Sequence, residues 1–129
     1  MVIKLTEHFI DSGLASSDIA VISPYAAQVR HLNSQIQIDG LEIGSIDGFQ
    51  GREKELVIVS LVRSNAKGEI GFLKDTRRMN VALTRARRKL IVIGDSATIC
   101  SLPFYEKMLD HFDIHQAYRS IWDQWPWTE

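Results

Sequence analysis

Three short, mostly apolar runs constrain the fold of this chain more than any other feature: 18–22, 56–62 and 90–93. They are rich in Val, Ile and Leu and do not alternate apolar with polar residues. A strand that is apolar on both faces is typical of a parallel sheet covered on both sides. Segments with helical spacing separate the runs, so the order of elements predicts an α/β domain with a mostly parallel sheet and helices on both faces.

The spacing of apolar residues and the positions of Pro and Gly predict the remaining elements. Ser23 and Pro24 are expected to be the N-cap and the first residue of a helix of about 13 residues. A third helix is expected over 76–87, with Met79, Ala82, Leu83 and Ala86 on one face. The other predicted elements are a first helix from Val2 that stops at Gly13, a half-alternating strand over 41–46, loops over 47–52 and 64–75 with Gly71-Phe72-Leu73 as an anchor, and a helix over 103–112.

Length and charge narrow the possible functions. A chain of 129 residues is expected to form one domain. Its net charge is −1, so nucleic acid would have to bind a local basic patch rather than the overall field. Such a patch exists between Asp75 and Lys89, where six cations stand with one anion.

The chain is expected to be intracellular, either cytoplasmic or nuclear. Charged residues interrupt the N-terminal segment, and no run reaches the roughly 18 apolar residues that span a membrane. Cys100 is the single cysteine, which excludes an internal disulfide. No metal site is predicted, because His111 and His115 lack a third ligand at suitable spacing. The tryptophans of the tail, 122–127, are expected to pack on a core or a partner, with base stacking as the alternative.

The segment Asp47-Gly-Phe-Gln-Gly-Arg-Glu53 joins two apolar runs. Gly48 and Gly51 would let backbone N–H groups approach a phosphate closely, and Glu53 would accept hydrogen bonds from a ribose hydroxyl. A plain glycine turn with solvated charges explains the same pattern, so both interpretations stay open.

The basic helix offers a similar choice. Arg78 and Arg85 are seven residues apart, and on the predicted helix they share the flank beside the apolar face. Guanidinium groups there would suit phosphate oxygens. The alternative is a solvated basic face whose side chains lie over the edge of the core.

Three segments resemble the motifs of superfamily 1 helicases. Ser45–Glu55 is similar to motif V, Arg77–Arg87 is similar to motif VI, and Ile22–Tyr25 with Gln28 resembles the motif IV region. The order and spacing match the branch that contains the nonsense-mediated-decay helicase, the immunoglobulin-mu-binding helicase and senataxin. The resemblance implies a RecA-like P-loop NTPase fold, here the second motor domain over 1–115, followed by a tail over 116–129.

The resemblance also implies roles for individual residues. Arg85 would be the arginine finger to the γ-phosphate of ATP, and Glu53 would bind the ribose. Gln50 and Gly51 would lie by the triphosphate, with Arg78 and Arg87 as further nucleotide-binding residues. The residues implied to bind single-stranded RNA or DNA are Pro24, Tyr25, Ser45, Arg63 and Asn65.

The departures from the family pattern matter equally. The chain has no Gly-x-x-x-x-Gly-Lys-Ser/Thr loop and no acidic pair for Mg²⁺, so ATP and Mg²⁺ would be bound mainly by a first RecA-like domain. The chain is therefore expected to be a fragment that starts inside the first helix of its domain and is inactive alone.

Two alternative functions remain: a non-catalytic nucleic-acid-binding module and a protein-docking module with a helicase-like fold. In α/β sheets ligands lie outside the carboxyl ends of the strands, which points to the loops after residues 22, 46, 62 and 93.

Overall fold

The computed structural model describes residues 2–45, 53–61, 76–94 and 103–115. The chain divides into two compact units, Met1–Gly94 and Asp95–Glu129. The described elements of the first unit are α1 (Val2–Asp11), a 3-10 helix (Ser16–Asp18), β1 (Ile19–Ile22), α2 (Ala26–Gln35), β2 (Glu42–Gly44), β3 (Lys54–Ser60), α3 (Thr76–Leu83) and β4 (Ala86–Ile93). The second unit contains α4 (Pro103–Ile114).

The four strands form one parallel sheet in the order β2-β1-β3-β4. Every residue of β1 is buried, as are the last five residues of β3. Successive side chains of a strand point to opposite faces, so this burial means that both faces of the two central strands are covered. The predicted α/β fold with a parallel sheet is confirmed.

The winding of the chain reverses at the centre of the sheet. From β1 the chain passes through α2 to β2 on one side, and it then returns to β3 on the other side of β1. Such a reversal opens a crevice at the carboxyl ends of the two central strands. The apolar residues of β1 and β3 hold these strands together, because each fully buried Val, Leu or Ile side chain contributes about 1.5–3 kcal/mol by leaving water.

The first helix is confirmed. Val2 and Leu5 are buried on its inner face, and the Thr6 hydroxyl donates to the Val2 carbonyl at 2.9 Å. Gly13 follows the helix with φ of 107°, a left-handed conformation that costs glycine little. The amides of Gly13 and Leu14 donate to helix carbonyls at 3.0 and 3.1 Å, which ends the helix where the sequence predicts.

The predicted start of α2 is wrong by two residues. The helix begins at Ala26, and Tyr25 occupies the N-cap position with an extended backbone and no side-chain cap. Ser23 does not cap the helix, because its hydroxyl accepts the Tyr25 amide at 3.2 Å and its own amide donates to the Gly44 carbonyl at 3.1 Å. Ser23, which the sequence predicts to be the N-cap of the helix, instead takes part in strand pairing and in a local turn.

The predicted end of the third helix is also wrong. α3 ends at Leu83, and Ala86 lies in β4 opposite Lys54 instead of on a helix face. One carbonyl of the last helical turn, that of Val81, accepts from the Thr84 amide, the Thr84 hydroxyl and the Arg85 Nε. Arg78 and Arg85 therefore do not share a helix flank.

Other boundaries shift by smaller amounts. β4 is longer than the predicted strand over 90–93, β3 starts at Lys54 rather than at 56, and β2 is shorter than 41–46. α4 continues to Ile114. Several predicted features lie outside the described residues: the 47–52 segment, the loop over 64–75 with its 71–73 anchor, Cys100 and the tail over 116–129.

Candidate functional site

The predicted ligand-binding residues separate onto two opposite edges of the sheet. We call the edge where the strands start the amino edge and the edge where they end the carboxyl edge. Glu53 directly precedes β3, Arg85 directly precedes β4, and Arg87 is the second residue of β4, so all three lie at the amino edge. Pro24 and Tyr25 follow β1 and Ser45 follows β2, so these lie at the carboxyl edge. The general rule for α/β sheets therefore locates the second group but not the first.

Arg85 is held against the end of α3. Its Nε donates to the Val81 carbonyl at 3.2 Å, and one terminal nitrogen lies 3.5 Å from the Thr84 hydroxyl. The last carbonyls of a helix lack the i→i+4 amide partner of the helix interior and carry partial negative charge, so a guanidinium is stabilised there beside the Thr84 amide, which also donates to Val81 at 3.2 Å. These contacts orient a half-buried guanidinium at the junction between α3 and β4.

A bulge in β4 turns two neighbouring arginines toward the glutamates of β3. Lys54 pairs with Ala86 while Leu56 pairs with Lys89, so β4 carries one extra residue in this interval. Arg87 Nε lies 3.3 Å from a Glu53 carboxylate oxygen, and Arg88 Nε lies 2.8 Å from an oxygen of Glu55. Arg87 also approaches Glu55, at 3.7 Å.

The pair of Arg87 and Glu53 is exposed on both sides and therefore exchangeable. In the pair of Arg88 and Glu55 the arginine is exposed, while the glutamate is 25% exposed. The side chains of Arg87 and Glu53 are 58% and 54% exposed, and that of Arg88 is 85% exposed. Water and salt screen such pairs, which contribute roughly 0–1 kcal/mol each. An anionic or hydroxyl-bearing ligand would compete with them at little cost, so the amino edge is suited to reversible binding.

The carboxyl edge has a different chemistry. Ser23 and Ser60 are buried at the ends of the two central strands, and Pro24 is buried beside them. Gln28 of α2 approaches Ser60 across this end of the sheet, with Nε2 at 3.5 Å from the hydroxyl oxygen. Ser45 is exposed, whereas Tyr25 is half-buried and its hydroxyl oxygen is buried.

Five predicted site residues are assigned to neither the amino edge nor the carboxyl edge. Gln50, Gly51, Arg63 and Asn65 lie outside the described residues. Arg78 lies in α3. Within the described ranges, no cluster of three or more His, Cys, Asp or Glu could hold a metal ion, and no helix is long and apolar enough to cross a membrane.

Sequence reasoning missed three participants. Lys54 bonds across the amino edge, Glu55 pairs with Arg88, and Ser60 meets Gln28. The alternation of charge in Glu53-Lys-Glu55 was a usable signal, since the strand period directs the two glutamates to one face and the lysine to the other. The contact between Ser60 and Gln28 joins residues 32 positions apart and has no local signature.

The comparisons with known proteins decide the family. Residues 1–97 match a family model described as an AAA domain. The chain belongs to this family. Its predicted membership of the superfamily 1 helicases, in the nonsense-mediated-decay and senataxin-like branch, is confirmed, as is the RecA-like P-loop NTPase fold.

Three curated relatives illustrate the match of this AAA domain. It is 49% identical to the mouse DNA-binding protein SMUBP-2 over 116 residues, which is 88% of this chain and 12% of that protein. It is 41% identical to the human DNA replication ATP-dependent helicase/nuclease DNA2, covering 88% of this chain and 11% of that protein. It is 40% identical to the Arabidopsis thaliana regulator of nonsense transcripts 1 homolog, covering 88% of this chain and 10% of that protein. The chain thus spans about one-eighth of the length of these relatives or less.

Proposed function

We propose that this chain is the second motor domain of an ATP-dependent superfamily 1 helicase, with the nucleotide at the amino edge and single-stranded nucleic acid at the carboxyl edge. The observation that carries the proposal is the grouping of Glu53, Arg85 and Arg87 at one edge, although they come from two separate sequence motifs. Family membership supports the same conclusion, since relatives named as helicases match most of the chain.

The amino edge fits a nucleoside triphosphate in charge and geometry. The guanidinium of Arg85 would stabilise the charge that develops on the γ-phosphate, an effect worth about 10³–10⁵ in rate for arginine fingers. Glu53 would exchange its exposed pair with Arg87 for a ribose hydroxyl, and the released Arg87 would then face the phosphates. Gln50, Gly51 and Arg78 are proposed to complete the nucleotide site.

The other half of the nucleotide site would come from a first RecA-like domain. That domain would hold most of the ATP and the Mg²⁺ ion, which neutralises phosphate charge when bound. The described residues of the amino edge supply cations and paired glutamates, which would meet the phosphates from the far side. The chain alone is therefore proposed to be inactive.

The carboxyl edge is proposed to bind the sugar-phosphate backbone of RNA or DNA. Ser45 offers an exposed hydroxyl group there, beside the half-buried Tyr25 and the buried Pro24. Arg63 and Asn65 come after β3 in the sequence and are proposed to complete the strand site. Contacts of this kind hold a strand without reading its bases. Binding at opposite edges would let the two ligands occupy the domain together.

A chimera tests the proposal. This chain replaces the segment that it matches in the mouse SMUBP-2 protein, and single-strand-stimulated ATP hydrolysis is measured. We expect the chimera to hydrolyse ATP and Arg85→Ala to lower the turnover number about 10³-fold with nearly unchanged nucleotide affinity. Arg30→Ala, on the exposed face of α2, is the matched control. Unchanged turnover in Arg85→Ala would refute the finger assignment. A chimera that binds single strands without hydrolysis would favour the non-catalytic binding module.

A further inference from the structure

Lys54 makes contacts that its place between two glutamates in the sequence does not predict. Its Nζ donates to the Ser17 carbonyl at 2.7 Å and lies 3.0 Å from a carboxylate oxygen of Glu42. The side chain is 18% exposed, against 54% and 58% for the neighbouring pair of Glu53 and Arg87. A charge-assisted contact with this little exposure holds its geometry better than the exposed ion pairs beside it.

These contacts span three strands. Lys54 begins β3, Glu42 begins β2, and β1 lies between those strands in the sheet. The ammonium therefore crosses the start of β1 and bonds to the last turn before it, at Ser17. One side chain fixes the relative positions of three consecutive strands at the amino edge.

The backbone of Lys54 reaches in the opposite direction. Its amide donates to the carbonyl of Arg85 at 3.0 Å, where the chain enters β4. Glu53 is the residue directly before Lys54. The proposed ribose-binding and finger residues are thus joined through one residue, whose position is set by its side-chain contacts on the other side of the sheet.

We propose that Lys54 is a positioning residue that fixes Glu53 relative to Arg85, so that ribose and γ-phosphate are engaged together. The inference rests on the proposed function, because it assigns no ligand contact to Lys54 itself. Displacements of about 1 Å in a reacting site are enough to lower rates about 100-fold. Loosening the start of β3 would therefore weaken recognition of the ribose hydroxyl before it unfolds the sheet.

The test measures ribose discrimination in the chimera described above. The ratio of kcat/KM for ATP to that for 2′-deoxy-ATP and 3′-deoxy-ATP is compared for the parent, Lys54→Met, Glu53→Ala and the double variant. Methionine keeps the length and packing of the lysine stem but removes the ammonium. Lys4→Met, at an exposed lysine of α1, is the matched control and is expected to leave the ratio unchanged.

We expect Glu53→Ala to lower the ratio on the order of tenfold, as for loss of a hydrogen bond to a charged group. Lys54→Met should lower the ratio in the same direction, and the double variant should lower it no further than Glu53→Ala alone, because both changes act through one carboxylate. A purely structural lysine would instead lower kcat/KM for all three nucleotides equally.

The other outcomes separate the two proposals. If Glu53→Ala lowers the ratio and Lys54→Met leaves it at the parental value, or if the two effects add, the positioning role is overturned and the proposed function stands. If Glu53→Ala leaves the ratio unchanged, the ribose assignment fails and the inference fails with it.

A second variant guards against loss of folding. Glu42→Gln keeps Lys54 and removes only the charge of its partner, so it should shift the ratio in the same direction by a smaller factor. Thermal unfolding of each variant is measured alongside. A Glu42→Gln protein that folds as the parent does and keeps the parental ratio would count against the positioning role.

Discussion

The two edges of the sheet differ in the charge and the solvent exposure of their polar side chains. At the amino edge Glu53 pairs with Arg87 and Glu55 pairs with Arg88, and both arginines remain open to water. At the carboxyl edge Ser23 and Ser60 are buried and uncharged. Exposed ion pairs add little stability and exchange readily, whereas a buried hydroxyl is costly to leave without a partner. The comparison indicates that the exposed ion pairs of the amino edge can rearrange around a ligand, whereas the buried serines of the carboxyl edge support the fold.

The largest expected effect separates the two edges by function. Arg85→Ala in the chimera should lower ATP turnover about 10³-fold and leave single-strand affinity within about twofold, because the change lies at the opposite edge from the proposed strand site. Parallel measurements of ATPase rate and of fluorescence anisotropy with a labelled single strand check this. An equal loss of both properties would show that the edges do not act separately.

A charge placed at the carboxyl edge should have the reverse effect. Ser45→Asp adds a carboxylate at an exposed position after β2 and would repel phosphates, so single-strand affinity should fall roughly tenfold while KM for ATP changes little. Ser34→Asp, at an exposed serine of α2, is the control. Equal loss of affinity in both variants would point to overall charge instead of a local site.

The free energy of unfolding should depend more on the buried serines of the carboxyl edge than on the exposed ion pairs of the amino edge. Ser60→Ala removes the buried hydroxyl near the Gln28 amide and is expected to lower the free energy of unfolding of the 129-residue chain by about 1 kcal/mol. Urea unfolding followed by circular dichroism measures this. Ser12→Ala removes an exposed hydroxyl bond and serves as the control, with a change within about 0.5 kcal/mol. An effect no larger than that of the control would contradict the supporting role.

The smallest effect is expected at the exposed pair of the amino edge. Arg88→Ala removes its contact with Glu55 and should change the free energy of unfolding by roughly 0–1 kcal/mol, with less effect at high salt. Comparing urea unfolding at low and high salt checks the prediction, with Arg30→Ala as the control. A loss that is large and independent of salt would show that this edge is as structural as the other.

The sequence predicted the sheet better than it predicted the elements around the arginines. Apolar runs such as 56–62 carry their own signal, because continuous apolar residues need cover on both faces. Residues 84–89 carry none, since Arg87, Arg88 and Lys89 form a strand whose pairing with β3 lies some 30 positions away in the chain. From the sequence alone, a basic segment that follows a helix is therefore predicted to continue that helix, because the strand with which it pairs is not known.

The candidate site shows the same division. The resemblance to helicase motifs named Glu53, Arg85 and Arg87 individually, while the parallel sheet brought Glu53 and Arg87 into contact and aligned Lys54 with the carbonyl of Arg85. The roles proposed for these residues, and for Gln50, Gly51, Arg63 and Asn65, stay predictions that the experiments above address.

By itself the sequence determined the family, the α/β class and the two motifs, because these depend on residue types and on spacings along the chain. Only the tertiary structure decided that α3 ends at Leu83, that Lys54 links β3 to β2 across β1, and that the two groups of predicted ligand-binding residues lie at opposite edges. The physical reason is strand pairing. Register and strand order are set by hydrogen bonds between segments far apart in sequence, and they decide which side chains meet.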